Sequence, residues 1–294
     1  MQKIIPHLWY DTQAVEAAQL YVTLFEDSEV FGVNTISDTP SGDTKIVDFQ
    51  LAGTPFAAIS GGPYFSLNPS ISLMVACDTP EEVDRLHAAL SKNGTELMPL
   101  GEYPFSKRYA WVQDRYGLTW QLMLVEDGDN HQKIRPSLLF AGEACGRAEE
   151  ALDYYLSVFE GSERGYVNHY QPGEAMDSRA KINYAELTIQ GDQFVAMDHG
   201  FGGDFTFNEA FSLMILCKDQ KEIDYFWDKL SFVPEAEQCG WVKDRFGVSW
   251  QIVPENMEDM MWGGTEEEVK RIAEAFMEMK KLDIAALERA RLNK

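Results

Sequence analysis

The feature that most constrains this chain is that it repeats itself. The stretch Trp111-Val-Gln-Asp-Arg-Tyr-Gly-Leu-Thr-Trp-Gln-Leu122 returns as Trp241-Val-Lys-Asp-Arg-Phe-Gly-Val-Ser-Trp-Gln-Ile252, with seven of twelve positions identical. Ser72-Leu-Met-Val-Ala-Cys77 returns as Ser212-Leu-Met-Ile-Leu-Cys217, and Tyr21-Val-Thr-Leu-Phe-Glu-Asp-Ser-Glu29 as Tyr155-Leu-Ser-Val-Phe-Glu-Gly-Ser-Glu163. Repetition over more than a hundred residues means that one fold unit occurs twice. The offset between the copies is 130 at Ile4/Ile134, 134 at Tyr21/Tyr155, 140 at Ser72/Ser212 and 130 again at Trp111/Trp241. The second copy therefore gains residues early and loses ten later, where the first copy has Gly94 to Tyr103. The expectation is a shared fold whose sixth strand is shortened in the second copy.

Within the first copy, apolar spacing predicts a strand over 4–10, a helix over 13–25 and strands over 29–37, 44–52, 55–60 and 71–77. Thr79-Pro-Glu-Glu82 combines an N-cap, a proline at the first helical position and a capping glutamate, so a second helix follows and ends near Asn93-Gly94. Strands over 95–100, 108–113 and 118–124 complete the copy. The order is βαβββ twice per copy, and Asp219 with Glu222 marks the corresponding helix start in the second copy. Residues 125–133 are polar and aperiodic. The expected organisation is a first domain over 1–126, a linker over 127–133, a second domain over 134–256 and a helical extension over 257–294. In the extension, Thr265 and Glu268 form another capping box, Val269, Ile272, Phe276 and Met279 form an apolar stripe, and a further short helix begins at Asp283. That extension is expected to cover an exposed sheet surface or to serve dimerisation.

Composition narrows the functional classes. The formal net charge is −23, whereas binding nucleic acid or an anionic membrane surface requires clustered cations, so neither is an expected partner. The longest apolar runs are too short to span a bilayer. The N-terminus lacks the apolar stretch of a secretory leader, so the expected location is the cytoplasm. Cys77, Cys145, Cys217 and Cys239 form no Cys-x-x-Cys pair, and buried free thiols are expected.

Pro6-His-Leu-Trp-Tyr-Asp11, Ala17-Ala-Gln-Leu-Tyr-Val22, Gly61-Gly-Pro63 and Asp244-Arg-Phe-Gly-Val-Ser-Trp-Gln-Ile-Val-Pro254 resemble the PhnB-like family. This is the branch of the vicinal oxygen chelate (glyoxalase, bleomycin-resistance and dioxygenase) superfamily labelled 3-demethylubiquinone-9 3-methyltransferase. The resemblance covers both copies and implies an α+β fold: tandem glyoxalase-like domains, each from two βαβββ modules forming a curled mixed sheet around a ligand cavity, plus C-terminal helices. The methyltransferase label fits the pattern poorly. A nucleoside-bearing methyl donor is usually held at a Gly-rich strand-to-helix turn of a doubly wound sheet, and here Gly61-Gly62 and Gly200-Phe-Gly-Gly203 lie between strands.

Metal enzymes of that superfamily draw ligands from the first, fourth, fifth and eighth strands of a domain. The resemblance places His7, Ser60, Ser72 and Gln121 there in the first copy, and Ser137, Asp198, Ser212 and Gln251 in the second. Hydroxyls and neutral amides are weak ligands for divalent ions, so no metal centre and no cofactor are expected. The same positions form a candidate small-molecule pocket. Trp9 shares a strand face with His7, and Phe65, Phe205 and Phe207 are placed to close the mouth. His199, beside Asp198, offers an acid–base pair, while Asp114-Arg115 and Asp244-Arg245 read as turn support. Three readings follow: a non-metal small-molecule binding protein, a lyase, isomerase or dioxygenase-like enzyme using His7 or Asp198-His199, or a chain whose cups are filled by side chains. The two domains are expected to pack as an internal pseudo-dimer.

Overall fold

The computed structural model describes residues 4–39, 41–126 and 131–293. Residues 127–130 of the expected linker, and the first three residues of the N-terminal segment, lie outside the described residues. The first copy runs β1 (Ile4–Tyr10), α1 (Ala14–Tyr21), β2 (Glu29–Thr39), β3 (Gly42–Leu51), β4 (Thr54–Ser60), β5 (Ile71–Cys77), α2 (Pro80–Leu90), β6 (Thr95–Tyr103), β7 (Ser106–Gln113) and β8 (Thr119–Leu124). The second runs β9 (Ile134–Phe140), α3 (Ala148–Val158), β10 (Glu163–His169), β11 (Ile182–Ile189), β12 (Asp192–Asp198), β13 (Phe211–Cys217), α4 (Gln220–Leu230), β14 (Trp241–Lys243) and β15 (Ser249–Pro254), followed by α5 (Met257–Trp262), α6 (Glu266–Glu278) and α7 (Ile284–Arg291).

Two curled mixed sheets result, and each takes one βαβββ module from each copy. The first has the order β14-β15-β13-β1-β4-β3-β2, and the second β10-β11-β12-β9-β5-β8-β7-β6. The sequence grouping by copy is thus redistributed: the first sheet is joined by antiparallel β1 and β13, with His7 beside Ser212. The second is joined by antiparallel β5 and β9, with Ser72 beside Ser137. What a single copy does build is a core between the two sheets' convex faces. Phe25 after α1 stacks on Trp120 of β8, with ring centroids 5.9 Å apart, and Arg85 of α2 donates to the Leu24 carbonyl at 2.9 Å.

The Asp-Arg-Tyr/Phe-Gly turn anchors that core. Buried Asp114 accepts from the Tyr21 hydroxyl at 2.7 Å, the Trp120 indole at 2.9 Å and the backbone amides of Tyr116 and Leu118 at 2.8 and 3.2 Å. Asp244 repeats this with Tyr155, Trp250, Phe246 and Val248 at 2.7, 2.9, 2.8 and 3.0 Å. A carboxylate that fills its lone pairs in this way can be buried, because every acceptor site is used. Both carboxyls titrate above the usual range because burial disfavours the charge. Trp120 and Trp250 are fully buried, as core packing requires.

Two elements differ from the sequence expectation. The α1 helix ends at Tyr21 instead of reaching residue 25. The sixth strand of the second copy is absent among the described residues, its place being taken by a single 3-10 turn over Pro234–Ala236. The exposed edge of β14 is met by the C-terminal extension, where the amides of Cys239 and Gly240 donate to the carbonyls of Met279 and Lys280, both at 2.8 Å. The extension carries its own cluster of Met260, Met261, Ile272 and Leu287, which reaches Ile36 on β2 at the opposite edge of the first sheet. It covers a sheet surface, and its Thr265–Glu268 capping box forms as the sequence predicts. All four cysteines are free and buried. No helix among the described residues is long and apolar enough to cross a membrane.

Candidate functional site

Side chains alternate across a strand, so register decides which residues share the concave face. On the first sheet Asp48, Ala57, His7 and Ser212 stand in one row. His7 is 6% exposed, its ring meets Trp241 edge-on at 5.5 Å, and its Nδ1 is buried without a hydrogen-bond partner. Burial lowers its pKa to about 4, so the imidazole is neutral at physiological pH. Gln251 donates to the Ser212 hydroxyl at 2.9 Å. Trp9 donates its indole N–H to the Gly62 carbonyl at 2.8 Å and packs on Phe65 and Trp241 at 5.2 and 6.1 Å. Gly61 must lack a side chain here, because a Cβ would lie 2.3 Å from the Trp9 ring. Trp9, Pro63, Phe65 and Tyr116 border a groove of about 330 Å³ at the rim of this cup. Asp48 is held up to about 6 by burial first and the Glu258 carboxylate of α5 second.

The second cup has the same plan with different chemistry. Ser137, Ser72 and Gln121 face its interior. Gln121 donates to the Ser137 hydroxyl at 3.3 Å and accepts from the Tyr109 hydroxyl at 2.9 Å, and Ser72 bonds Thr119 at 2.8 Å. Two positions before Ser137 on the same face lies Arg135, which is 1% exposed. Its Nη1 donates to Glu186 Oε1 and to His131 Nδ1, each at 3.1 Å, and the Tyr184 hydroxyl donates to the same Glu186 oxygen at 2.7 Å. The corresponding residue in the first cup is Ile5.

The fourth-strand candidates leave the cups. Ser60 and Asp198 have the opposite parity from Ala57 and Val195, the β4 and β12 residues beside His7 and Ser137, and they point to the convex side. There each serves the first helix of its module. The Ser60 hydroxyl accepts the Ala14 amide at 3.2 Å at the start of α1, whose own N-cap position provides no side-chain bond. Asp198 accepts four amides, Gly146 and Ala148 at the start of α3 at 2.8 and 3.1 Å, and Lys181 and Ile182 at 2.9 and 3.0 Å. Both of its oxygens are fully engaged, so it forms no acid–base pair with His199. The His199 ring instead lies 5.4 Å from Phe205, with its pKa lowered by burial. Phe207 closes no mouth: it is buried edge-on against Phe140 at 5.0 Å in the convex core.

The structure thus gathers His7, Trp9, Phe65, Ser212 and Gln251 at one cup, and Ser72, Gln121 and Ser137 at the other. Sequence reading missed Trp241, Asp48, Arg135, Glu186 and Trp111. One signal was available, since Arg135 interrupts an apolar strand where its twin position holds isoleucine. At the superfamily's metal positions the donors are one imidazole with a hydroxyl and an amide in the first cup, and hydroxyls with an amide in the second. Among the described residues no group of three or more His, Cys, Asp or Glu converges to hold a metal ion. This donor set does not fit a divalent metal of the glyoxalase type.

Comparison with known proteins agrees with the architecture. The PhnB protein of Bacillus cereus is 37% identical over 42% of this chain and 100% of its own, with a TM-score of 0.40. Glyoxalase I of Zea mays is 12% identical over 90% of this chain and 98% of its own, with a TM-score of 0.55. A proposed dioxygenase of Bacillus subtilis is 12% identical over 97% and 94%, with a TM-score of 0.51. At such identities the last two show a shared fold. No curated protein matches the chain. The model of the family described as 3-demethylubiquinone-9 3-methyltransferase matches twice, over residues 2–123 and 132–253. The chain therefore belongs to that family.

Proposed function

We propose that this protein binds a small molecule in its cups without a catalytic metal, and that it is not a methyltransferase despite its family's description. The observation that carries the reading is the donor set at the superfamily's metal positions, in which hydroxyls and amides are bonded to one another and the His7 imidazole supplies the one basic nitrogen among the described residues. Neither sheet is doubly wound, so no strand-to-helix turn of the type that holds a nucleoside methyl donor is supplied. The aromatic wall of Trp9, Phe65 and Trp241 suits a small organic ligand. The copies act as an internal pseudo-dimer with domain limits at 1–126 and 134–256, a reading supported by the cross-copy strand pairs. The proposed location is the cytoplasm.

The test is calorimetric titration of purified protein with Ni²⁺, Zn²⁺ and S-adenosylmethionine. The expected outcome is no stoichiometric binding tighter than micromolar for any of the three. Tight one-to-one metal binding that disappears in His7→Ala would overturn the reading. It would favour the second one, a metal-dependent lyase, isomerase or dioxygenase-type enzyme, for which the neutral and unpartnered His7 is the supporting observation.

A further inference from the structure

The Arg135 guanidinium is saturated on one side and open on the other. Nη1 is bonded to Glu186 and His131. Among the described residues Nη2 donates to the Met74 thioether, at 3.7 Å, and a thioether is a weak acceptor. Nε is buried with no partner. The Nε–H and Nη2–H groups point in parallel and form the guanidinium edge that takes both oxygens of a carboxylate. A buried donor without an acceptor is costly, so this edge is an incomplete site and not a finished structural ion pair.

Register shows what stands beside it. Arg135 pairs with Met74, Met74 with Gln121, and Gln121 with Trp111, in one row across the cup. The Trp111 indole N–H is a second buried donor without a partner. Tyr109 and Ser137 hold Gln121 in place between them. Met74 has an unbranched side chain that adapts to what it packs against. Its sulfur is the atom that now lies against Nη2.

We propose that the second cup binds a small organic carboxylate, its two oxygens on the Nε and Nη2 edge of Arg135 and its body along Gln121 and Trp111. This rests on the small-molecule reading above and names the ligand's class. The first cup, with Ile5 in place of Arg135, has no such edge. Glu186 competes for the same cation, so neutralising it should strengthen the site.

Benzoate and phenylacetate are the probes, with benzamide and phenylacetamide as neutral partners, all titrated calorimetrically into the full chain. Both carboxylates should bind the wild type at least tenfold more tightly than their amides. Arg135→Lys keeps the charge but removes the two-pronged edge, and should weaken the carboxylates about tenfold or more. Glu186→Gln should tighten them several-fold and leave the amides unchanged, which a purely structural ion pair would not do. Thermal unfolding of each variant confirms that it folds. If the amides bind and the carboxylates do not, or if Arg135→Lys and Glu186→Gln leave carboxylate binding unchanged, the carboxylate assignment is overturned while cup binding stands. If neither series binds, both fall.

Discussion

Where the first cup carries Ile5 and His7, the second carries Arg135 and Ser137, and the strands beneath them are paired in the same order. Behind the sheets the two copies are nearly superimposable in chemistry: Asp114 and Asp244 collect the same four donors at closely similar distances. The difference between the concave and convex sides is instructive. The convex side is locked by close packing, where a misplaced group leaves a buried carboxylate unsatisfied. On the cup faces equivalent positions differ between the copies, Ile5 and His7 against Arg135 and Ser137, so substitution there has altered the chemistry while the strand pairing was kept. The two floors have become an aromatic site with an imidazole and the Asp48 carboxyl, and a polar site with a guanidinium paired to Glu186.

The sharpest way to test this division is at Ser60 and Asp198, which hold one structural place in different ways. Asp198→Ala would strand four backbone amides at once, with an expected loss of about 4 kcal/mol in urea unfolding followed by tryptophan fluorescence. A loss below about 1 kcal/mol would show that those amides find other partners, and that the carboxylate is available for another role.

The second test separates the cups by pH. His7 is neutral when folded, with a pKa near 4 against 6.5 unfolded. Its folded value is depressed, so the unfolded chain takes up a proton first as pH falls. The stability it contributes is complete above pH 6.5 and is lost as pH falls towards 4. Between pH 7.5 and 4.5 the wild type should lose about 2–3 kcal/mol relative to His7→Phe. Ser137→Ala, at the twin position, should change no pH slope. Equal pH profiles for wild type and His7→Phe would mean that the imidazole is hydrated.

Asp48 gives a smaller effect of the opposite sign. Its folded pKa is raised from 3.8 to about 6, so its contribution is present below pH 3.8 and lost as pH rises through 6. Asp48→Asn should stabilise the protein at pH 7.5 by about 1–2 kcal/mol, after allowance for its partial contact with water, and have no such effect at pH 4. Glu186 stands at the same row position on the second sheet, but faces Arg135. Glu186→Gln should therefore give no stabilisation at pH 7.5, and a gain there equal to that of Asp48→Asn would erase the contrast between the floors.

The sequence carried the duplication, the fold class and most element limits, because apolar periodicity and caps such as Thr265–Glu268 are local signals. It did not carry the pairing of modules across copies, since nothing local distinguishes β1 beside β5 from β1 beside β13. That is why His7 and Ser72, assigned to one site by sequence, lie on different sheets. Ser60 and Asp198 were misplaced by a one-residue parity error, which on a strand sends a side chain to the other face. Arg135 was legible as a charge in an apolar strand, but its role depended on Glu186, Met74 and Trp111, which only the fold brings near.

The smallest effect is expected at Ser60, and it completes the comparison with Asp198. A single hydroxyl serves a single amide there, at 3.2 Å. Losing one cap bond at a helix start costs about 1 kcal/mol, so Ser60→Ala should shift the urea midpoint by a fraction of the Asp198→Ala effect. If Ser60 also belonged to the first cup, the same substitution would alter ligand affinity there. On the geometry above it should leave the binding of any probe in the first cup unchanged while the helix start loosens, which amide hydrogen exchange at Ala14 and its neighbours would read directly.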